Sequence, residues 1–256
     1  MRIIVQFLPI LVLLSCYCEQ DAERIEGPTA QRQSSKSSKS SIGSEVLESP
    51  QVKDSVLLLH NLIDVHALNK RIFVDLKYTG TENFLGRRMY DHIKKAYLQK
   101  DVADRLSKCQ DYLTAIDTGL HLLIFDAVRP VSVQQKMWQA LDTIPQTERR
   151  NYVSEPAYRS LHNYGAAVDL TICDSKGIPF DMGASFDEFK EIAYPSMEAT
   201  FLANGQLTKA QIDNRKLLRR VMYSQYFQSI PTEWWHFNAC SRKVAKRKYK
   251  CLENEP

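Results

Sequence analysis

Two short stretches hold side chains that could do chemistry. Residues 232–237 read TEWWHF, and residues 160–169 read SLHNYGAAVD. The first places Glu233 three residues before His236 and uses two of the chain's three tryptophans. The second places His162 in a Gly-containing segment, with Asp169 seven residues further on inside an apolar run. Taken alone, His236 reads as a core histidine, since Trp is common in cores wherever its N–H finds a partner. Asp169 changes that balance, because a bare carboxylate is costly to bury and needs a cation. Two imidazoles and a carboxylate make a three-ligand set suited to zinc, which at a catalytic site keeps a fourth position for water. Glu233 would sit beside that water as general base. The tryptophans would wall the pocket and lower its dielectric. The competing readings are an Asp169 ion pair with Arg or Lys and a purely structural His236; the two segments together favour the metal.

The elements that must position these residues follow from apolar periodicity. Residues 55–60 (SVLLLH) and 72–76 (IFVDL) read as short strands, and 77–86 as a loop. Residues 96–116 carry helical spacing that stops at Gly119. Residues 120–125 (LHLLIF) read as a buried strand running into Asp126-Ala127-Val128-Arg129-Pro130. Pro130 forces Arg129 out of the helical region. A helix over 132–141 would start from Ser132 as its N-cap. Residues 166–172 form a strand, 187–203 and 210–223 read as helices, and 235–238 as the closing strand. Strands and helices without a regular βαβ rhythm predict an α+β domain: a central, mostly antiparallel sheet flanked by helices.

The chain's 256 residues divide into three parts. Met1-Arg2 and the apolar run IIVQFLPILVLL are too short to span a bilayer and suit a signal peptide over residues 1–18. LLSC, ending at Cys16, resembles a lipobox, with a conventional cut near Ser15 or Cys18 as the alternative. Residues 19–51, rich in Ser and Lys, cannot bury enough surface to order and read as a tether. Residues 52–256 suffice for one domain with a sizeable core. The net charge of +4 owes much to the tether, and the run from Arg242 to Lys250 reads as a solvated end. No nucleic-acid partner is expected, and membrane contact only through the N-terminal anchor. Cys109, Cys173, Cys240 and Cys251 show no CxxC, which argues against a cysteine zinc site. In an exported chain a Cys240–Cys251 bridge is available, although spacing does not fix connectivity.

SLHNYGAAVD followed by EWWH resembles the signature of the zinc D-Ala-D-Ala peptidases, whose fold is shared with the Hedgehog signalling domain. DLKYTGTENFLG, FDAVRP, MGASFD (182–187) and NRKLLRRVM (214–222) resemble motifs of the D-alanyl-D-alanine dipeptidase branch, known from vancomycin-resistant bacteria. The match spans about residues 73–237. It departs from the pattern at Leu161, where a small polar residue is usual, and in the signal and tether. The resemblance implies one Zn2+ per chain on His162, Asp169 and His236, with Glu233 as base. It implies that Arg129 stabilises the oxyanion, and that Tyr78, Ser160 and Asp187 hold the substrate's free amine. A guanidinium fork suits a developing negative charge, but Arg129 could equally form a structural pair with Asp126. Asp187 could be only the N-cap of the following helix, and Tyr78 only a loop anchor.

The expected activity is zinc-dependent hydrolysis of D-Ala-D-Ala, a small-molecule substrate, by an exported, periplasmic enzyme anchored through Cys16. An exported enzyme cannot reach the cytoplasmic dipeptide pool, so recycling or scavenging of wall-derived dipeptide is the expected role. The alternatives are a carboxypeptidase or endopeptidase on longer wall peptides, and a non-catalytic zinc-containing wall-binding module, which would need neither Glu233 nor Arg129. If Cys16 is the lipidation site, metabolic labelling with a fatty-acid analogue should tag the wild type and not Cys16→Ser; an unlabelled mature protein starting elsewhere would refute it.

Overall fold

The computed structural model describes residues 56–256. The signal segment, Cys16 and the tether lie outside the described residues. Two sheets are present. β1 (Leu62–Asp64) pairs antiparallel with β3 (Tyr97–Gln99). The larger sheet has five strands: β2 (Phe73–Val74), β4 (His121–Asp126), β5 (Ala167–Cys173), β6 (Gln228–Ile230) and β7 (Glu233–Asn238). Their spatial order is β2-β4-β5-β7-β6. Only the β2–β4 pair is parallel. Among the described residues the α-helices longer than one turn are α1 (Lys100–Ile116), α2 (Val131–Ala140), α3 (Glu198–Ala203), α4 (Lys209–Tyr223) and α5 (Arg242–Lys248). The architecture is α+β with a mostly antiparallel central sheet, as the sequence predicts. Among the described residues no helix is long and apolar enough to cross a membrane.

β5 is central because every one of its residues is buried. α1 turns Val102, Ala103, Leu106, Cys109 and Leu113 inward at helical spacing. α4 does the same with Ile212, Leu218, Val221 and Met222, and the two helices pack against each other. A Thr208–Gln211 capping box starts α4, satisfying two of the N–H groups a helix end leaves open.

Several expected elements differ. Residues 56–59 are a helical turn, not a strand. Residues 97–99 pair with β1 instead of opening the helix, so α1 begins at Lys100. Pro130, not Ser132, stands at the N-cap of α2, and the Ser132 N–H donates to the Glu253 carbonyl at 2.9 Å. The expected helix over 187–203 is broken. Asp187 has φ +62°, and two 3-10 turns (Glu191–Ala193 and Pro195–Met197) precede the short α3. Pro195 lacks an N–H and cannot continue a helix from Tyr194. The Cys240–Cys251 bridge is not formed. Both are free thiols packed beside Tyr164, Ala166 and Ala245.

Gly165 ends the 3-10 turn Leu161–Tyr164 with φ +62°. A Cβ there would lie 2.6 Å from Leu62 Cδ2 and 3.2 Å from the Gln99 N. Left-handed backbone and a blocked side-chain position both require glycine. Gly165→Ala should therefore cost about 2–4 kcal/mol, the sum of αL strain and overpacking. A denaturant midpoint within error of wild type would show that the turn can relax.

Candidate active site

The site is a row across the central sheet. In the antiparallel register Asp126 of β4 faces Asp169 of β5, and Asp169 faces His236 of β7. The β4–β5 register shifts between Ile124 and Asp126. Phe125 is the extra residue, and this bulge re-aims the strand end so that Asp126 lines up with Asp169. His162 arrives from the 3-10 turn just before β5. Ser160 caps that turn: its Oγ accepts from the His162 N–H at 3.3 Å, and Asn163 Oδ1 accepts from the Ser160 N–H at 2.7 Å. The turn is also tied to the strand end beyond β4, since Arg129 N–H donates to the His162 carbonyl at 3.1 Å and Asn163 Nδ2 donates to the Arg129 carbonyl at 2.7 Å.

His162 Nε2, Asp169 Oδ1 and His236 Nδ1 converge, each offering one ligand atom within 4.8 Å of the others. His162 Nε2 lies 3.2 Å from His236 Nδ1 and 3.4 Å from Asp169 Oδ1, and His236 Nδ1 lies 2.9 Å from Asp169 Oδ1. The other ring nitrogens fix the tautomers. His162 Nδ1 donates to the Ala127 carbonyl at 2.7 Å, an oxygen that can only accept. His236 Nε2 donates to Asn238 Oδ1 at 2.8 Å. With those N–H groups directed outward, the facing nitrogens of both rings are turned toward Asp169, and a proton or a metal cation between the three atoms satisfies them. Orientation of each imidazole by its distal N–H is what metal-ligating histidines require, and Arg129 Nη2, 3.7 Å from Asp169 Oδ2, adds positive charge from the side. Burial raises Asp169, but the two imidazoles outweigh it and hold the carboxyl well below its usual range. Burial lowers His236, yet the Asp169 bond and charge push it up to about 9. Two nitrogens and one oxygen are a donor set that fits zinc.

Around this cluster lies a cavity of about 230 Å³ lined by Tyr78, Arg129, Ser160, Asp187, Glu233 and Trp235, among others. Glu233 Oε2 lies 3.9 Å from His236 Nδ1. Burial raises its carboxyl, partly opposed by His236. Arg129 both lines the cavity and pairs with Asp126, which accepts from Nε at 2.9 Å and also from Nη2. Tyr90 Oη in turn donates to Asp126, so the guanidinium is held from behind. Its Cζ sits 5.1 Å over the Tyr78 ring.

Asp187 is buried and accepts from Tyr78 Oη at 3.0 and 3.1 Å and from the Phe84 N–H at 3.4 Å. It caps no helix. Burial and the Asp169 charge raise its carboxyl well above the usual value, against the opposing pull of Arg129 and Tyr78. Ser160 lines the same cavity, but its hydrogen bonds belong to the His162 turn rather than to Asp187 or Tyr78. Of the two tryptophans only Trp235 lines the cavity; Trp234 donates from Nε1 to the Ala184 carbonyl at 3.1 Å outside it. Tyr152, Phe189, Asn238 and Arg242 also line it, and sequence reasoning assigned none of them. Arg242, read as part of a solvated basic end, is exposed yet borders the site because α5 packs on the His162 turn.

A family described as D-ala-D-ala dipeptidase matches residues 59–254. The chain is 33% identical over 194 residues to the D-alanyl-D-alanine dipeptidase of Escherichia coli (strain K12), covering 75% of this chain and 92% of that relative. The chain belongs to the D-Ala-D-Ala dipeptidase family. It is a metallopeptidase of that family. The D-alanyl-D-alanine dipeptidase of Enterococcus faecalis (strain ATCC 700802 / V583) is 29% identical over 177 residues, covering 64% of this chain and 83% of the relative. Among solved structures, an LdcB LD-carboxypeptidase overlaps with a TM-score of 0.41 at 18% identity, covering 73% of this chain and 71% of that one. That score is too low to bear on the site.

Removing one imidazole leaves two ligands where three converge. His162→Ala and His236→Ala should each lose the bound metal on elemental analysis of the purified domain, which in the wild type should hold about one zinc. Full occupancy in both variants would sink the ligand assignment.

Proposed function

We propose that the protein is a zinc-dependent dipeptidase that cleaves D-Ala-D-Ala into two alanines and binds one zinc per chain through His162, Asp169 and His236. The observation that carries this reading is Asp187: a buried carboxylate, bonded to Tyr78, in the same cavity as the three converging ligands. An ammonium needs such an anion close to the scissile bond. An N-extended peptide has no ammonium there and would leave the carboxylate facing an uncharged amide, which is expensive in a desolvated site. Recognition of a free amine separates a dipeptidase from a carboxypeptidase or endopeptidase on longer chains.

The division of labour follows from the residues' chemistry. Zinc at these ligands supplies Lewis-acid polarisation and lowers the pKa of water. Glu233 takes a proton from the attacking water and returns it to the leaving amine; burial places its pKa nearer the working pH, where an acid–base catalyst is most effective. Arg129, prepositioned by Asp126, stabilises the charge that develops on the carbonyl oxygen without reorganising. Asp187 and Tyr78 hold the ammonium, with Ser160 contributing its hydroxyl to the same cavity. Trp235 keeps that side of the cavity dry.

Residues 1–18 direct export, residues 19–51 are the spacer, and Cys16 is the anchor. The short apolar run, the LLSC sequence and the Ser/Lys-rich stretch support this. The enzyme then meets dipeptide released from the wall, and its role is recycling or scavenging.

Free and N-acetylated D-Ala-D-Ala should differ widely in kcat/KM on the wild type, and Asp187→Asn should lose most of that difference along with activity. Equal hydrolysis of both by the wild type would promote the carboxypeptidase reading. Glu233→Ala should keep its metal while kcat falls by about 10²- to 10⁴-fold. The pH profile carries a sign. Below its raised pKa Asp187 is protonated and loses the ammonium, so KM for the free dipeptide should rise as pH falls, beginning above the ordinary carboxylate range. Asp187→Asn should flatten that limb.

A further inference from the structure

Asp187 stands on no regular element. Residues 181–190 form neither helix nor strand, and the backbone at Asp187 is left-handed, φ +62°. Within the stretch, one long backbone bond, Glu188 N–H to the Ser185 carbonyl at 3.3 Å, gives little support. The support comes from Trp234, whose Nε1 donates to the Ala184 carbonyl at 3.1 Å, and from one face of α4. Gln211 Nε2 donates to Asp181 Oδ2 and Asn214 Nδ2 to the Asp181 carbonyl, both at 2.8 Å. Arg215 reaches further. Its Nε donates to the Met182 carbonyl at 2.6 Å and its Nη2 to the Ile192 carbonyl at 2.9 Å. One guanidinium therefore ties two backbone points on either side of Asp187, which lies midway between them. Gly183 packs against the same face: a Cβ there would meet Leu207 Cδ2 at 2.3 Å and Gln211 at 2.9 Å.

Arg215 is fully buried, which is costly for a charge. Its Nη1 makes no hydrogen bond and lies 3.8 Å from Glu198 Oε1, a carboxylate already held by Arg219 at 2.6 and 2.7 Å. A planar fork holds two separate carbonyls in fixed directions; an ammonium is a point charge on a flexible stem and does not fix that geometry. The stretch 214–222 thereby acquires a physical meaning. Asn214 and Arg215 hold the loop, Leu218 and Met222 enter the core, and Arg219 orients the counter-charge.

We propose that Arg215, assisted by Asn214 and Gln211, is the positioning residue of the free-amine subsite: it sets the carboxylate of Asp187 where the substrate ammonium must land. The proposal rests on the dipeptidase reading of Asp187. Arg215 touches no reacting atom, so its effect falls on substrate binding and not on the proton transfers of Glu233.

The test is steady-state kinetics on metal-loaded enzyme with D-Ala-D-Ala and its N-acetyl form. Arg215→Lys keeps the charge and loses the fork; Asn214→Ala is the milder variant should the first fold poorly. Both should raise KM for the free dipeptide, by about tenfold to a hundredfold for Arg215→Lys, with kcat and metal content close to wild type. The preference for free over blocked amine should shrink in parallel. In the Asp187→Asn background Arg215→Lys should add little, because the two act as one unit. Fully additive losses in that cycle, or a fall in kcat at unchanged KM, would overturn the clamp. Unchanged KM in both variants, with the wild type still preferring the free amine, would overturn the clamp alone. A wild type indifferent to the amine would overturn the underlying reading together with it.

Discussion

Three ligand atoms brought together in a nearly dry site are the constraint on which this structure depends. His162 Nε2, Asp169 Oδ1 and His236 Nδ1 stand 2.9–3.4 Å apart, with their outward-facing hydrogen bonds already committed to Ala127 and Asn238. Such a cluster needs positive charge among or beside the three atoms, as a proton on His236 or as a metal cation, with Arg129 nearby. That positive charge is part of what lets the central strand be buried on all seven residues while carrying a carboxylate. The outer bonds matter as much as the ligands, because they settle which nitrogen of each ring is bare.

The remaining parts are graded by how rigidly they are held. The ligands lie on or beside neighbouring sheet strands, where register fixes them. Arg129 sits at a strand end, stiffened by the following proline and by the Tyr90–Asp126 pair behind it. Asp187, the proposed anion for the substrate's amine, lies on irregular backbone held from α4 and by Trp234. The converging ligand atoms thus sit on or beside the sheet and the proposed specificity group on a tethered loop, the arrangement that lets a rigid scaffold carry selectivity in its connections.

Much of the site was legible because the chemistry is local in the sequence. His162 and Asp169 share one turn–strand unit, Glu233 and His236 share one strand, and a carboxylate inside an apolar run announces a partner. Other parts misled for definable reasons. The periodicity over 187–203 imitates a helix, yet Pro195 and the left-handed Asp187 forbid a continuous one. Both tryptophans of EWWH looked like cavity walls, but only Trp235 lines the cavity and Trp234 holds Ala184 outside it. Arg242 looked like one of many solvated cations. Its place beside the site depends on α5 packing against the His162 turn, a contact no local pattern encodes.

The sequence by itself determined the class of fold and pointed to the ligand set and the base, because apolar periodicity and the cost of a buried charge act on short stretches of chain. It left Arg129 open between an oxyanion partner and a structural pair, and Asp187 open between substrate recognition and helix capping. Only the tertiary structure shows where the two side chains stand. A one-residue bulge in β4 aligns Asp126 with Asp169, so the Asp126 pair holds Arg129 at the cavity instead of removing it. The fork of Arg215, twenty-eight positions beyond Asp187, ties down the loop that turns that carboxylate toward Tyr78. Both are long-range hydrogen-bond and register effects, and they exist only once distant segments have been brought together.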